Sequence, residues 1–297
     1  MSTINDILLA LGARSKPRFP PLERHFIYLT GEAKTGKSTL AASFPGHLHV
    51  DFGSESMCVP GRRGQHVWCP VYLRSDLDAL KRDSPQLFVK PADPKLADNW
   101  QPPTCLQDVK EGLAKLALLA DNPITGVCFD SMEDYFEMVR RHHERNIWKM
   151  DIMTWGKGPK GYGVIRDAIL DEIQSSVLLK GYGCIAITHL RKTVDFDTKK
   201  VETRSGISEA LDSRLRDQAS FIWTMEKLPP TIDPATRKEV KSINIQTELG
   251  KELRRNLGVG NRVELPTVFK NIPLKDAFSV VNKHYEAEVA SILASCE

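Results

Sequence analysis

Short, nearly continuous apolar runs recur along the chain and alternate with stretches whose apolar residues fall at helical spacing. His25-Phe-Ile-Tyr-Leu-Thr30, His47-Leu-His-Val-Asp51-Phe52, Gly126-Val-Cys-Phe-Asp130 and Cys184-Ile-Ala-Ile-Thr188-His189 are too short for stable helices. Their length and apolar content predict buried strands. His66–Leu73 predicts a further short strand, and Phe221–Met225 and Ser242–Thr247 two more, joined by a Pro-rich turn. Between them, Ser38–Ser43 reads as the opening of a helix, and Ser75-Asp76 as the cap of one running to about Lys81. Leu106–Ala120 places Val109, Leu113, Leu116 and Ala120 near one helix face. Tyr135–Trp148 is helical but polar, rich in His and Arg. Val164–Lys180 repeats Ile165, Ile169, Ile173 and Val177, and Ala277–Leu293 closes the chain as a helix. Strands alternating with helices predict an α/β fold with a mostly parallel sheet flanked by helices on both faces.

Segments without periodicity set the expected organisation. Residues 1–24 read as a lead-in, 25–270 as the core and 271–297 as a C-terminal helix. Residues 84–104, rich in Pro, Asp and Lys, read as an inserted surface loop. Trp155–Gly163 is Gly-rich and reads as a loop, as does the charged stretch Arg191–Ser208. No internal repeat is visible.

Composition narrows the class. A hydrophobic content of 41% with 27% charged residues predicts a packed core rather than disorder. The net charge of +3 permits nucleic-acid contact without arguing for it. No apolar run approaches the roughly 18 residues of a membrane span, and Met1–Leu11 lacks the charged start, apolar core and cleavage site of a signal peptide. The six cysteines form no C-x-x-C pair, which argues against a zinc knuckle. This usage suits a reducing cytoplasm.

The most specific chemistry lies between the first strand and the helix after it. Gly31-Glu32-Ala33-Lys34-Thr35-Gly36-Lys37-Ser38 fits G-x-x-x-x-G-K-[ST], and Thr39 continues it into the helix. Gly31 and Gly36 let backbone N–H groups wrap a phosphate at the positive end of a helix. Lys37 can then reach the β- and γ-phosphates, and the Ser38 hydroxyl can ligate Mg²⁺. The expected ligand is a nucleoside triphosphate, with ATP and Mg²⁺ as cofactors. Asp130, ending an apolar strand, is placed to hold the metal with Ser38.

Two further stretches invite nucleic acid. After His189, residues 191–206 carry Arg191, Lys192, Lys199, Lys200 and Arg204 for phosphates and Phe196 for a base. Asp195, Asp197 and Glu202 weaken that field, so a solvated charged loop is the competing reading. Trp155-Gly-Lys157-Gly-Pro-Lys160-Gly-Tyr162-Gly163 suits a mobile nucleic-acid loop, a lid over nucleotide, or a plain connection.

Taken in order, several motifs resemble the phage-encoded RecA-like NTP-binding proteins, some of them described as single-strand-annealing or recombination ATPases. The resemblance spans most of residues 25–285. It rests on Tyr28–Pro45, Asp51…Glu55, Val127–Ser131, Trp155-Gly-Lys157, Ile187–Lys192 and Asn261–Pro266. It implies a RecA-like P-loop NTPase core, Mg-ATP hydrolysis and action on single-stranded DNA in recombination, annealing or replication. Ser131 follows Asp130 where an AAA+ motor carries its catalytic Glu, which agrees with the RecA-like branch. In that branch the water-activating Glu follows the second strand, so the resemblance assigns Glu55 as base, with Glu133 and Asp51 as alternates. The polar pair Thr188-His189 then makes His189 the γ-phosphate sensor, in place of the more usual Gln or Asn. A homo-oligomeric ring or filament is implied, with a basic residue reaching the nucleotide from a neighbouring subunit. Arg191, Arg204, Arg214, Arg216 and Arg262 are the candidates. A single-strand-binding protein is an expected partner, in a host cytoplasm. The alternatives are a non-hydrolysing nucleotide-dependent regulator or loader that docks a protein partner, and a small-molecule kinase using Arg140, Arg141 and Arg145 as a lid.

Overall fold

The computed structural model describes residues 19–52, 68–90, 92, 102–155, 159–194, 201–234, 236–249, 263 and 265–295. The chain runs β1 (Phe26–Gly31), α1 (Lys37–Ala41), β2 (His47–Asp51), β3 (Trp68–Tyr72), α2 (Arg74–Asp83), β4 (Thr104–Cys105), α3 (Leu106–Leu116) and β5 (Gly126–Asp130). It continues through α4 (Met132–His142), α5 (Pro159–Ser176), β6 (Gly183–Val194), β7 (Val201–Ser205), α6 (Glu209–Gln218) and β8 (Phe221–Lys227). The small hairpin β9 (Thr231–Ile232) and β10 (Glu239–Val240) follows, then β11 (Ser242–Leu249), β12 (Val268–Pro273) and α7 (Ala277–Ser295).

One sheet organises the molecule, in the order β12-β11-β8-β1-β6-β5-β2-β3-β4. From β8 to β4 all pairings are parallel; β11 and β12 add antiparallel strands beyond β8. The expected mostly parallel sheet with helices on both faces is what forms. Alternation along β1 shows why its strands are apolar throughout. Phe26 and Tyr28 face one core with Val109 and Leu113 of α3, Tyr135 and Val139 of α4, and Ile165, Ile169 and Ile173 of α5. Ile27 and Leu29 face the other, with Leu40 of α1, the fully buried Trp223, and Val281 and Tyr285 of α7. The central strands β1, β5, β6 and β8 feed both cores, whereas β2 gives Leu48 and Val50 to one core and turns His47, His49 and Asp51 to its other face.

Several local expectations change. α2 begins at Arg74 without a side-chain cap, and Asp76 lies in its first turn, where a carboxylate complements the helix dipole. α3 ends at Leu116, leaving Ala120 exposed. The polar helix starts earlier, at Met132, because Ser131 caps it by accepting from the Asp134 N–H, and it passes into a π-helical turn over His143–Trp148. The Gly-rich stretch is partly helical: Pro159 opens α5 and Gly161 is buried, where a Cβ would lie 2.6 Å from Ile152 Cγ1. The largest correction concerns Arg191–Ser208. Instead of one long loop, β6 continues to Val194 and pairs antiparallel with β7, so this region is a β-hairpin arm. Its charges hid the β-branched Thr193, Val194, Val201 and Thr203 that favour strand. Among the described residues, no helix is long and apolar enough to cross a membrane.

Candidate functional site

The phosphate loop leaves the C-terminal end of β1, and β6 separates that strand from β5 and its terminal Asp130. Ligands of open α/β sheets bind at such strand ends. Both loop glycines are required by geometry. A Cβ on Gly31 would stand 2.7 Å from the Met225 carbonyl oxygen. Gly36 is left-handed at φ 94°, and a Cβ there would stand 2.6 Å from Leu274 Cδ2. The Thr35 hydroxyl donates to the Glu32 carbonyl at 3.0 Å and closes the turn.

Lys37 is the first residue of α1 and is only 4% exposed. Its ammonium donates to the carbonyl oxygens of Gly31 (2.9 Å) and Glu32 (2.8 Å). Burial pulls its pKa down to about 8, against the opposing pull of the Asp130 and Glu133 carboxylates. The Glu32 side chain turns outward to Lys192 of β6, with Oε1 and Nζ 2.6 Å apart. Lys192, expected on nucleic acid, thus meets the phosphate loop itself.

Asp130 is 12% exposed and meets His49 Nε2 through Oδ2 at 2.9 Å. Burial alone would raise its carboxyl, but hydrogen bonds from His49 and the Ser38 hydroxyl outweigh it, and the group is held below the usual carboxylate range. Asp130 and Ser38 therefore come together as an ionised carboxylate and a hydroxyl, the hard oxygen donors that suit Mg²⁺. The peptide bond between Asp130 and Ser131 is cis. Asp51 lies opposite Asp130 in the β2–β5 register and is buried.

His189 is half-buried at the C-terminal end of the parallel part of β6, opposite Gly31 in register. Glu133, from the first turn of α4, holds it: Oε1 accepts the His189 backbone N–H at 2.7 Å, and Oε2 is 3.5 Å from the ring Nδ1. Burial raises the Glu133 carboxyl, and the bonds from His189 more than reverse this, so its pKa is lowered. Gly206, at the foot of β7, donates to the His189 carbonyl at 2.7 Å, and any side chain there would run into Glu133. One foot of the hairpin is thus bonded to a carboxylate three residues after Asp130, and the other foot is bonded to the first. Thr188 points elsewhere. It donates to the Tyr28 hydroxyl (2.9 Å), which donates to Asp212 Oδ1 (2.5 Å), and Arg216 closes the chain on Asp212 Oδ2 (2.8 Å).

On the hairpin, Arg191 and Arg204 are exposed and directly opposite one another. A cleft of about 460 Å³ opens between the arm and α6, lined by Arg204, Ser205, Ile207, Asp212 and Arg216 among others. Lys160 is exposed in the first turn of α5. Glu55, Lys157, Phe196, Lys199, Lys200 and Arg262 lie outside the described residues. Sequence reasoning missed His49 and Leu274. His49 left a trace, a polar residue inside an apolar strand; Leu274 left none.

No family model matches the chain, and no curated protein sequence matches it. Among solved structures it is similar to a KaiC-like protein from Pyrococcus horikoshii OT3, at 14% identity and a TM-score of 0.34, over 79% of this chain and 82% of that one. It is similar to the flagellar accessory protein FlaH from Methanocaldococcus jannaschii, at 12% identity and a TM-score of 0.28, over 77% and 78% of the two chains. It is also similar to the RadB recombinase, at 14% identity and a TM-score of 0.36, over 82% and 86%.

Proposed function

We propose that this chain is a RecA-like ATPase that binds Mg-ATP and acts on single-stranded DNA. The observation that carries the nucleotide reading is the conjunction of a complete phosphate loop, a buried Lys37 at its heart and an ionised Asp130 hydrogen-bonded to Ser38. The amides from Gly31 to Thr39 cradle phosphate oxygens, and Lys37 exchanges its two backbone carbonyls for them. Ser38 and Asp130 hold Mg²⁺, whose charge offsets that developing on the transferred phosphoryl group. Glu55 orients the attacking water, and His189 contacts the γ-phosphate.

The DNA reading draws support from the hairpin. Arg191 and Arg204 lie opposite one another on it and are exposed, and guanidiniums suit contact with a phosphate backbone. His189 belongs to the same strand as Arg191, so a shift at the γ-phosphate is passed directly to the arm. The working form is a homo-oligomer, ring or filament, in the cytoplasm. A phage-type annealing or recombination pathway is its setting, with a single-strand-binding protein as partner.

The test is phosphate release from ATP, with and without single-stranded DNA, for the wild type and Lys37→Ala. Stimulation by DNA that disappears in Lys37→Ala is expected. ATP binding without turnover, indifferent to DNA, would replace this reading with a nucleotide-dependent regulator.

A further inference from the structure

We propose that His49 is a positioning residue for the metal site, fixing the Asp130 carboxylate in the orientation in which it holds Mg²⁺ beside Ser38. The inference rests on the nucleotide reading above and adds to it a residue outside every motif in the sequence.

His49 and Asp130 reside on neighbouring parallel strands. His49 pairs in register with Cys128, and Asp51 with Asp130, so His49 stands one pleat below the carboxylate on the same face of the sheet. That face is covered by α1, which carries Ser38. The imidazole is buried, and Nε2 is 2.9 Å from Asp130 Oδ2. An ionised carboxylate accepts hydrogen bonds and cannot donate them, so Nε2 must carry the proton in this bond. The bond engages one carboxylate oxygen from below while Ser38 engages the group from α1, which removes its freedom to rotate. Mg²⁺ demands near-ideal octahedral geometry, so a carboxylate fixed in advance binds it better than one that turns. Ligating carboxylates are characteristically held by such outer partners.

His47 sharpens the argument. It lies on the same strand and the same face, and its Nε2 meets the Glu23 carbonyl at 2.8 Å. The Nε2 atoms of two buried histidines two residues apart thus have different hydrogen-bond partners, and His47 serves as the control for general loosening of β2.

The experiment is equilibrium binding of a fluorescent ATP analogue, titrated with Mg²⁺ and repeated in EDTA, for the wild type, His49→Gln, His49→Asn and His47→Gln. A glutamine amide lies near the place of Nε2, whereas an asparagine amide lies near that of Nδ1. His49→Asn is expected to raise the Mg²⁺ concentration for half-maximal binding by about 10- to 100-fold. His49→Gln should recover most of that shift, and EDTA affinities should match throughout. His47→Gln should lower the melting temperature without moving the Mg²⁺ midpoint. Equal midpoints for wild type and His49→Asn would overturn the proposal, as would equal shifts for Asn and Gln, or a shift in His47→Gln as large as in His49→Asn. A wild type with no Mg²⁺-dependent nucleotide binding would instead overturn the functional reading beneath it.

Discussion

Raising the pH should weaken nucleotide binding through one group, Lys37. Its pKa in the free protein is lowered from the model-compound value of 10.5 to about 8, because burial disfavours the ammonium. Phosphate binding needs that ammonium, and the phosphate charge raises its pKa in the complex. The sign follows. Affinity is complete below about pH 7, where Lys37 is already charged, and is lost as pH rises through the free-state pKa. At about pH 9 only about a tenth of the free protein carries the charge, so affinity should fall about tenfold, or about 1.4 kcal/mol. Above about pH 7 the terminal phosphate has lost its second proton and adds nothing further. Calorimetry in buffers of different ionisation enthalpy should show uptake of about half a proton per nucleotide at about pH 8. Lys37→Arg, always charged, should bind more weakly but with a flat profile. Affinity constant from about pH 7 to 9.5 with no proton uptake would refute the reasoning. Either Lys37 would not be desolvated in the free protein, or it would not meet the phosphates.

Three other outcomes are expected. Gly36→Ala combines a left-handed backbone with a clash on Leu274, and should cost about 1–3 kcal/mol in urea unfolding; adding Leu274→Ala should restore only the part due to the clash. Tyr28→Phe leaves the buried Thr188 hydroxyl without its acceptor and Asp212 short of a donor, which should cost about 2 kcal/mol. A double-mutant cycle with Asp212→Asn should show strong coupling, and additivity would exclude the network. Arg204→Ala should weaken single-stranded DNA binding uniformly across sequences and reduce the salt slope by about one, while a binding curve unchanged at low salt would remove the hairpin from the interface.

The central strands and the phosphate loop were legible because their signals are local. A strand buried on both faces shows as an unbroken apolar run, as in Gly126–Asp130, and the loop's glycines are required by contacts within a fixed motif. The hairpin was not legible, because charged residues at Arg191, Lys192 and Arg204 outweighed the β-branched ones between them, and antiparallel pairing with β6 overrode that local polarity. Gly161 misled in the opposite direction. A glycine that admits Ile152 against a helix looks, in sequence, like a glycine that breaks one. The His49–Asp130 bond joins residues 81 positions apart, and nothing near His49 names its partner.

The contact between Gly36 and Leu274 has a consequence for biosynthesis. The phosphate-loop glycine leaves the ribosome long before Leu274, the side chain packed on it. Tyr285 of α7 likewise bonds to His25, beside the first strand. A growing chain therefore displays the whole phosphate-loop sequence long before it has the C-terminal wall that shapes it. The loop therefore takes its packed form only once synthesis has passed Leu274.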